Sequence, residues 1–558
     1  MSAGQFLVSV AVVVQLSAGA TGQTTIRVSV DSAGMQAPST SDHPAISGDG
    51  ELVAFLSEAS LVPEDTNAYG DVYVHALSSG AVVLVSVGLD GFTGVGGSES
   101  PALSSDGAIL VFASYRTDLV AGDFNGVGDC FLRDLVTGTT ERISVASDGS
   151  EGNARSWNPR CSAAGRFVVF QTYASNFVPG DANSESDVYL RDRLAGTTVR
   201  LSVGPNGEDA DNWTGFADIS ADGRWVAFDG IATNLVAGDV NGLQDAFVRD
   251  VVLGTTSLVS ITSAGEQASG GVSGQVAVSG DGSVVGFVSG ADNLVPNDGN
   301  GTMDVFVRDL VAGVTERASV ATDGTEGNDS SHTVRRFTIS HDGRFVQFGS
   351  YATNLVPDDT NGVADIFVHD RALNTTERVS VASSGAESNG ESLWGAISED
   401  GQHIAFSSTA DNLVGDDTNG TMDVFVHETC SVDASWANYG EGFPGTLGIP
   451  TLTSRSEPVI GSEVVLDLGN SSNSYTVALF LLGFARASIP TGWGGELLLQ
   501  PSFAVLLALG PSGVSIAEDL PNDPSLCGFV IEAQALEVDA GAASGVSFTP
   551  GLELVFGI

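Results

Sequence analysis

The sequence predicts an all-β protein, a seven-bladed β-propeller followed by a small C-terminal β-sandwich. Three observations lead to this fold class. A unit of four short apolar segments recurs at a nearly fixed period, no segment has a helical period, and a strand that the last unit lacks stands before the first unit. Repeats of this length that are built from short strands are typical of propellers and solenoids.

The unit is clearest in residues 339–385, where short segments alternate between apolar and polar residues, as half-buried strands do. Its turn glycine recurs with spacings of 57, 58, 58, 59, 61 and 58 residues, at Gly50, Gly107, Gly165, Gly223, Gly282, Gly343 and Gly401. A radial arrangement of small antiparallel sheets leaves few open edges, so we expect the seven units to close into a ring.

A count of the fourth strands predicts how the ring closes. Six units are followed by such a strand, but the seventh ends at Phe425–Glu428 without one. The segment Thr25–Val30, which precedes the first unit, matches the missing strand. We therefore expect the N-terminal strand to complete the last blade.

The repeated pattern Ser-x-Asp-Gly, Val-x-Phe and Asp-x-Phe-Val-x-Asp resembles that of the TolB-type, WD-repeat-like β-propeller family over residues 24–428. The resemblance implies the propeller fold and a secreted bacterial protein. It implies no particular activity, because propellers serve as enzymes, receptors and scaffolds.

Residues 1–20 are predicted to be a secretory signal peptide. Phe6–Val14 is an apolar core, and Ala18–Ala20 offers a small-residue cleavage site, although the usual basic segment is missing. The alternatives are a misassigned start and a disordered leader. No other apolar run is long enough to span a bilayer, so we expect a secreted or periplasmic protein that is soluble or peripherally attached.

The chain is strongly acidic, with 69 acidic residues against 21 basic ones and a net charge of −48. All the basic residues are arginines. The sequence has no basic footprint, so nucleic acid and anionic membranes are poor partners. An acidic surface keeps a protein soluble and attracts divalent cations. We expect a monomer whose partner is an unknown protein, peptide or glycan.

The four cysteines fall into two pairs. Cys130 and Cys161 occupy repeat positions that are apolar in other units, so we expect them to be small buried side chains. Cys430 and Cys527 both lie in the C-terminal region, residues 429–558, where a disulfide is plausible in a secreted chain.

Loop lengths predict which face of the propeller carries function. The turns between the first and second strands and between the third and fourth strands are short, whereas the other two connections are long. Antiparallel pairing places both long connections on one face. Function concentrates on such loops in rigid scaffolds.

The loop between the second and third strands carries Asp-x-Asn-x-x-x-Asp in all seven units. Asn-Gly and Asp favour tight turns, which is one interpretation. The alternative is a calcium site, although Ca²⁺ needs 6–8 oxygen ligands and each loop supplies about three. The candidate calcium ligands are Asp65, Asn67, Asp71, Asp123, Asn125, Asp129, Asp239, Asn241, Asp245, Asp359, Asn361, Asp365, Asp417, Asn419 and Asp423.

The long connections that precede the innermost strands carry the candidate ligand-binding residues Trp157, Trp213, Trp394, Arg155 and Arg335. Exposed tryptophans stack on sugars or peptide side chains, and arginine binds carboxylates with two parallel hydrogen bonds. The alternative for each tryptophan is packing between blades. Trp225, by contrast, is predicted to lie in the core.

The sequence contains no nucleophile elbow, no His-Glu-x-x-His and no cysteine–histidine constellation. His75, His369 and His427 take the place of arginines in other units. The prediction is a secreted, non-enzymatic propeller that binds a ligand or a protein or glycan partner on its long-loop face. The alternatives are an extracellular hydrolase or lyase that uses carboxylates at the channel, and a structural cell-surface protein.

Overall fold

The computed structural model describes residues 23–331, 337–429, 434–459, 462–493, 495–520 and 529–557. The predicted signal peptide, residues 1–20, lies outside these ranges. Contacts between Cα atoms divide the chain into two compact units, Thr24–Glu428 and the C-terminal residues Thr429–Ile558 with the N-terminal Met1–Gln23. All regular elements in the described residues are β-strands.

Seven four-stranded antiparallel sheets form the first unit, and each sheet is one blade. The first strands of blades one to seven are β2 (Ser41–Ile46), β6 (Ser98–Leu103), β10 (Ser156–Cys161), β14 (Thr214–Ile219), β18 (Val272–Val278), β22 (Thr338–Ile339) and β26 (Ser392–Ile397). The second strands are β3 (Leu52–Ser57), β7 (Ile109–Ser114), β11 (Phe167–Thr172), β15 (Trp225–Gly230), β19 (Val284–Ser289), β23 (Phe345–Ser350) and β27 (His403–Ser408).

The third strands all open on aspartate, and they are β4 (Asp71–Ala76), β8 (Asp129–Asp134), β12 (Asp187–Asp192), β16 (Asp245–Asp250), β20 (Asp304–Asp309), β24 (Asp365–Asp370) and β28 (Asp423–Glu428). The fourth strands of blades one to six are β5 (Ala81–Leu84), β9 (Thr139–Arg142), β13 (Thr197–Arg200), β17 (Thr255–Leu258), β21 (Val314–Arg317) and β25 (Thr375–Arg378).

The N-terminal strand β1 (Thr24–Arg27) supplies the fourth strand of blade seven, as the strand count predicted. It pairs antiparallel with β28, from Thr24 opposite Glu428 to Arg27 opposite Phe425. The first strand of each blade contacts the first strands of its neighbours, and β2 contacts β26. The seven blades therefore form a closed ring with these strands innermost, and the predicted fold class is confirmed.

The core repeats with the blades. One aromatic pair lies across the second and third strands of every blade, as Phe228 and Phe247 do with ring centroids 5.7 Å apart. Apolar clusters join neighbouring blades, for example Val169 of blade three with Phe228 of blade four. This interlocking burial of apolar surface holds the ring together, since no single sheet encloses a core of its own.

The fourth strands are shorter than the sequence suggested. Blade two was predicted to have a strand over Thr140–Val145, but β9 ends at Arg142. The reason is Ser144, whose hydroxyl donates to Asp129 at 2.5 Å and accepts the Cys130 N–H at 3.0 Å. A side chain thus takes the place of the backbone ladder, as serine often does where a strand ends.

The C-terminal unit contains two sheets. Its strands are β29 (Ser435–Tyr439), β30 (Leu452–Ser454), β31 (Glu463–Leu468), β32 (Thr476–Pro490), β33 (Glu496–Leu509), β34 (Val514–Asp519), β35 (Val530–Val538), β36 (Val546–Phe548) and β37 (Gly551–Val555). Strands β30, β31 and β34 form one sheet and the others form the second. Leu466 and Leu468 of the first sheet share an apolar cluster with Phe480 and Leu552 of the second, which makes the unit a sandwich.

Candidate functional site

A ring of bulges surrounds the mouth of the channel on the long-loop face. In six innermost strands a break in the pairing register places the third residue in the left-handed region, with φ between 37° and 61°. We call these residues the bulge ring, and they are His43, Ser100, Asn158, Phe216, Gly274 and Trp394. For residues other than glycine this conformation costs about 1–3 kcal/mol, and such strain clusters at functional sites.

Members of the bulge ring touch across the blade boundaries. Ser100 Oγ donates to Asn158 Oδ1 at 3.1 Å. The Phe216 ring lies 3.3 Å from the point where Gly274 would carry a Cβ atom. The His43 and Trp394 rings lie 4.1 Å apart, between centroids. This layer of residues at the mouth therefore contains three contacting pairs, and each pair joins two neighbouring blades.

Asp42 and His43 form a hydrogen-bonded pair in this layer. The Asp42 Oδ1 atom lies 2.7 Å from His43 Nδ1. The side chains are 22% and 35% exposed respectively, so solvent reaches both. Trp394 packs against the imidazole at an interplanar angle of 45°. A carboxylate that holds one imidazole nitrogen leaves the other nitrogen available for a substrate, which is the arrangement of a general base.

Arg155 and Trp157, both predicted binding residues, lie together on blade three. The Arg155 guanidinium is bound by Glu99 of blade two and lies 5.2 Å from the centroids of both the Tyr115 and the Trp157 rings. Trp157 also packs against Tyr173, with centroids 5.0 Å apart. Arg155 is thus already paired with a carboxylate, and Trp157 belongs to strand β10 rather than to a loop.

Trp213 and Trp394 occupy separate parts of the mouth. Trp213 immediately precedes β14 and packs edge-on against Phe216, with centroids 6.1 Å apart. Trp394 lies in β26 against His43, on the other side of the ring. All three tryptophans of the predicted site are half-buried. Arg335, the remaining predicted residue, lies outside the described residues.

Trp225 is less buried than the prediction of a core residue implied. It is half-buried, it packs against the apolar cluster between blades four and five, and the Arg224 guanidinium lies 5.0 Å from its ring centroid. Arg224 in turn pairs with Asp250 at 2.7 Å. The ring therefore closes the edge of the core instead of lying within it.

Most of the Asp-x-Asn-x-x-x-Asp loops repeat one hydrogen-bond scheme. In blade six the Asn361 amide donates to Asp365 Oδ2 at 2.7 Å, and its carbonyl accepts the Val363 N–H at 2.9 Å. Ser380 donates to the other oxygen of Asp365 at 2.5 Å. The asparagine carbonyl and the second aspartate are thus engaged in fixing the turn, as the turn interpretation expects.

An arginine from the end of the fourth strand faces the acidic residues of five of these loops. In blade six, Arg378 lies 3.5 Å from Asp359, 3.7 Å from Asp365 and 2.6 Å from Glu387. Arg142, Arg200 and Arg317 each face three acidic residues in the same way, and Arg27 faces two, Asp417 and Asp423. The corresponding residues of blades one and four are Leu84 and Leu258.

Two of these loops bring three carboxylates close enough to share a metal ion. Their ligand atoms lie within 4.8 Å of one another, and the groups are Asp181, Asp187 and Asp209, and Asp359, Asp365 and Glu387. Burial raises the pKa of Asp187 to about 7 and that of Asp359 to about 6. The same carboxylates contact Arg200 and Arg378, so an internal cation already balances part of their charge.

His75, His369 and His427 have structural partners, in line with their role as substitutes for arginine. His427 and His369 bond Thr25 and Thr376 at 2.8 and 2.9 Å, just as Arg133 donates to Thr140 at 2.9 Å. Burial lowers the pKa of His427 to about 4, so it holds this position as a neutral ring.

The predicted disulfide between Cys430 and Cys527 lies outside the described residues. Cys130 and Cys161 are free thiols, and Cys130 is buried as predicted, whereas Cys161 is only half-buried. Burial raises the pKa of Cys130, which is fully enclosed, and raises that of Cys161 to about 12. Both thiols are therefore poor nucleophiles.

Sequence reasoning did not single out His43 as a candidate site residue. The histidines of the third strands were recognised by aligning the repeats, but the first strands were not aligned in the same way. That alignment places His43 at the same position as Trp394, three residues into an innermost strand. The available signal was a titratable side chain at a position where other units carry serine, asparagine or an aromatic residue.

No protein-family model and no curated protein matches the chain. Among solved structures, an oligogalacturonate lyase from Vibrio parahaemolyticus is 11% identical, with 73% of this chain and 94% of that chain covered and a TM-score of 0.44. A putative TolB from Agrobacterium tumefaciens is 19% identical, with coverages of 50% and 81% and a TM-score of 0.33. The RRP9 WD40 repeats are 8% identical, with coverages of 73% and 99% and a TM-score of 0.35. At these identities the likeness concerns the fold alone.

The prediction of a non-enzymatic binding protein is wrong, because the propellers to which the chain is similar include enzymes such as the Vibrio lyase. The lack of a catalytic sequence motif therefore does not identify a binding protein. The fold alone does not show that this chain is an enzyme either, since one fold carries many functions.

No helix among the described residues is both long and apolar enough to cross a membrane.

Proposed function

We propose that the protein is a hydrolase or lyase whose acid–base pair is Asp42 and His43 at the long-loop mouth of the channel. The observation that carries this proposal is the 2.7 Å contact between Asp42 Oδ1 and His43 Nδ1 on a left-handed bulge that solvent reaches. Strained, solvent-accessible residues with a second group that orients them are typical of catalytic sites.

The chemistry follows from the atoms that are engaged. An ionised Asp42 accepts a hydrogen bond from Nδ1, so the neutral imidazole carries its proton there and Nε2 keeps a lone pair. Nε2 can then take a proton from water, in hydrolysis, or from a carbon next to a carbonyl, in elimination. Asp42 stabilises the imidazolium that forms, and Trp394 restricts rotation of the ring.

The aromatic surface on blades two and three suits a polymeric substrate. Trp157, Tyr173 and Tyr115 lie along blades two and three with the Arg155 cation between two of the rings. Such surfaces stack on sugar rings and on peptide side chains. The partner is therefore a glycan or peptide, nucleic acid is disfavoured by the net charge of −48, and a monomer suffices for the site.

The proposal includes secretion of the protein. The apolar N-terminal segment Phe6–Val14 and the acidic, lysine-free composition support an extracellular or periplasmic location. A hydrolase or lyase for polymers too large to enter a cell needs such a location.

The test compares the wild-type protein with His43→Gln and Asp42→Asn on panels of soluble polysaccharides and peptides. New reducing ends report hydrolysis, and ultraviolet absorbance of unsaturated products reports elimination. Loss of a general base should lower kcat by about 10²–10⁴-fold in His43→Gln. His341→Gln is the matched control, because His341 faces Glu399 at 3.4 Å on the short-turn face and should keep full activity.

Equal activity of His43→Gln and the wild type would exclude this pair as the catalytic site. Melting temperatures of the variants separate lost catalysis from lost folding. A wild-type protein that turns over no member of either panel counts against the proposal as a whole.

Calcium at the blade loops is a second candidate, favoured by the two three-carboxylate groups. If these loops bind Ca²⁺, the melting temperature should rise with added Ca²⁺ by mass action and fall with a chelator. Mg²⁺ should act more weakly, since it demands a tighter octahedral shell. An unchanged melting temperature at millimolar Ca²⁺ would leave the loops with the turn-fixing role alone.

A further inference from the structure

A cavity of about 500 Å³ lies at the outer edge of blade four, on the side of blade three. It is lined by the fourth strand of blade four, β17, and by Arg249 of the adjacent strand β16. Val203 and Pro205, which follow the fourth strand of blade three, also line it. Ligand sites are commonly cavities of about 300–1,000 Å³, so this one has room for a small organic molecule.

Two hydrogen bonds that join the blades at four other boundaries are missing at this one. At those four, a threonine of the fourth strand donates its hydroxyl to a carbonyl of the preceding blade, at 2.5–2.6 Å. The N–H of the same threonine donates to a serine or threonine hydroxyl two residues after that carbonyl, at 2.9–3.0 Å.

Thr256 and Val203 hold the corresponding positions between blades three and four, but the residue two positions after Val203 is Pro205, which has no hydroxyl. Among the described residues, the Thr256 hydroxyl contacts Arg249 Nη1, at 2.8 Å, and not the Val203 carbonyl. All four residues line the cavity. The cavity therefore lies where the usual contact between blades is not made.

Three positions that carry charge in other blades are neutral around the cavity. Leu258 stands where five other blades have arginine, and Gln267 stands where blades two, three, five and six have an acid. Ser257 stands where blades two, five and six have glutamate. All three line the cavity, and no acidic residue of the described chain does. In a protein with a net charge of −48, this is a place where an anion meets little repulsion.

Arg249 is the charged side chain of the lining, and it is half-buried. It pairs with no carboxylate among the described residues, because the adjacent Asp250 pairs with Arg224 at 2.7 Å. At the corresponding arginines of blades two, three and five, a nearby acidic charge opposes the effect of burial on the pKa, whereas burial alone lowers the pKa of Arg249. A partly enclosed cation without a carboxylate is stabilised most by an anion that binds to it.

We propose that this cavity binds a small apolar carboxylic acid, with its carboxylate on Arg249. One cation matches one negative charge, and a planar guanidinium matches the two oxygens of a carboxylate. Val236, Leu258 and Ile261 give the cavity an apolar lining against which a hydrocarbon chain is buried. The site is on the outermost strand of its blade, whereas Asp42 and His43 are on an innermost strand, so this proposal does not depend on the catalytic one.

The experiment titrates octanoate into the full-length protein by calorimetry, with octanol as the uncharged control. Wild type should bind octanoate at least about 10-fold more tightly than octanol, the usual effect of a charged hydrogen bond. Arg249→Gln should weaken octanoate binding by about the same factor and leave octanol binding unchanged. Arg191→Gln removes the corresponding arginine of blade three and should leave the affinity for both ligands unchanged.

The double variant Leu258→Arg with Gln267→Glu gives blade four the pair that blade six has in Arg378 and Glu387. The repeat already accommodates this pair, so the variant should fold, and it should lose octanoate binding because a longer side chain and an acid enter the cavity. It also covers the case in which Arg249→Gln does not fold. Unchanged octanoate binding in either folded variant would overturn the proposal. So would equal affinities of wild type for octanoate and octanol, or the absence of octanoate binding to wild type.

Discussion

At the scale of single residues, two positions of the repeat vary together. The fourth strand ends in arginine in blades two, three, five and six, and the residue nine positions later is Glu151, Asp209, Glu326 or Glu387. Where the strand ends in Leu84 or Leu258, the later residue is Thr93 or Gln267. Blade seven combines Arg27 with Gln36. A buried charge without a partner is costly, so the loops gain an acid mainly where they also gain a cation.

This pairing predicts the effect of changing Arg378. Its side chain is 9% exposed and faces three carboxylates, of which Asp365 is fully buried. Arg378→Leu should therefore lower the free energy of unfolding by about 3–5 kcal/mol, the usual cost of removing one partner of a buried ion pair. Chemical denaturation measures the change.

The double variant Arg378→Leu with Glu387→Gln reproduces the combination found in blade four, Leu258 with Gln267. It should recover part of the stability that the single variant loses. If the double variant is as unstable as the sum of the two single variants, the residues do not compensate each other.

The acidic loops also predict how stability depends on pH. Burial raises the pKa of Asp123, Asp298 and Asp359 from 3.8 to about 6. At pH values between the pKa of the unfolded chain and that of the folded protein, the folded protein binds more protons than the unfolded chain. The free energy of unfolding should therefore fall as pH rises from about 4 to about 6. Urea denaturation at a series of pH values measures this slope.

Asp359→Asn supplies the control for the pH effect. The amide cannot ionise, so the difference in stability between pH 4 and pH 7 should shrink in this variant. A slope of opposite sign, or one that Asp359→Asn leaves unchanged, would mean that the carboxylates are ionised in the folded state at both pH values.

At the scale of elements, the sequence predicted most strands because period-two alternation directly reports which side chains face the core. The match between Thr25–Val30 and the fourth strands also predicted a pairing between residues about 400 positions apart, which is seen as β1 beside β28. Strand ends were predicted less well, since Ser144 and its equivalents stop the ladder by a side-chain contact that depends on Asp129.

The candidate site was predictable only in part. Loop lengths predicted the face on which the proposed site lies, but Trp157 and Trp394 were expected on loops and belong to strands. The bulges that carry His43 and Trp394 have no local signature, and the two rings contact each other across the boundary between blades one and seven. Arg155 was predicted as a free carboxylate binder, yet Glu99 of another blade already occupies it. Each of these features depends on contacts between neighbouring repeats. Such contacts cannot be predicted from the sequence of a single repeat.

At the scale of the whole molecule, one strand, β1, closes the ring. Besides the β1–β28 ladder, Thr25 Oγ1 donates to the Val381 carbonyl of blade six at 2.6 Å, and Ser29 donates to Asp423 at 2.6 Å. Arg27 lies 3.5 Å from Asp417. These contacts join the first residues of the propeller to its last two blades. The N-terminal segment therefore closes the ring of seven blades.

Deleting residues 21–31 should therefore expose the edge of β28 and leave Asp423 without its serine and arginine partners. An open strand edge loses hydrogen bonds and offers a template for pairing with other chains. We expect a lower melting temperature for the propeller and a tendency to aggregate. Adding a synthetic peptide of residues 24–36 should raise the melting temperature again, and the increase should grow with the logarithm of the peptide concentration, because the peptide binds only the folded ring. A peptide with the same composition in scrambled order controls for non-specific binding. A truncated protein that melts like the full chain would show that blade seven is stable with three strands and that the ring does not need its N-terminal closure.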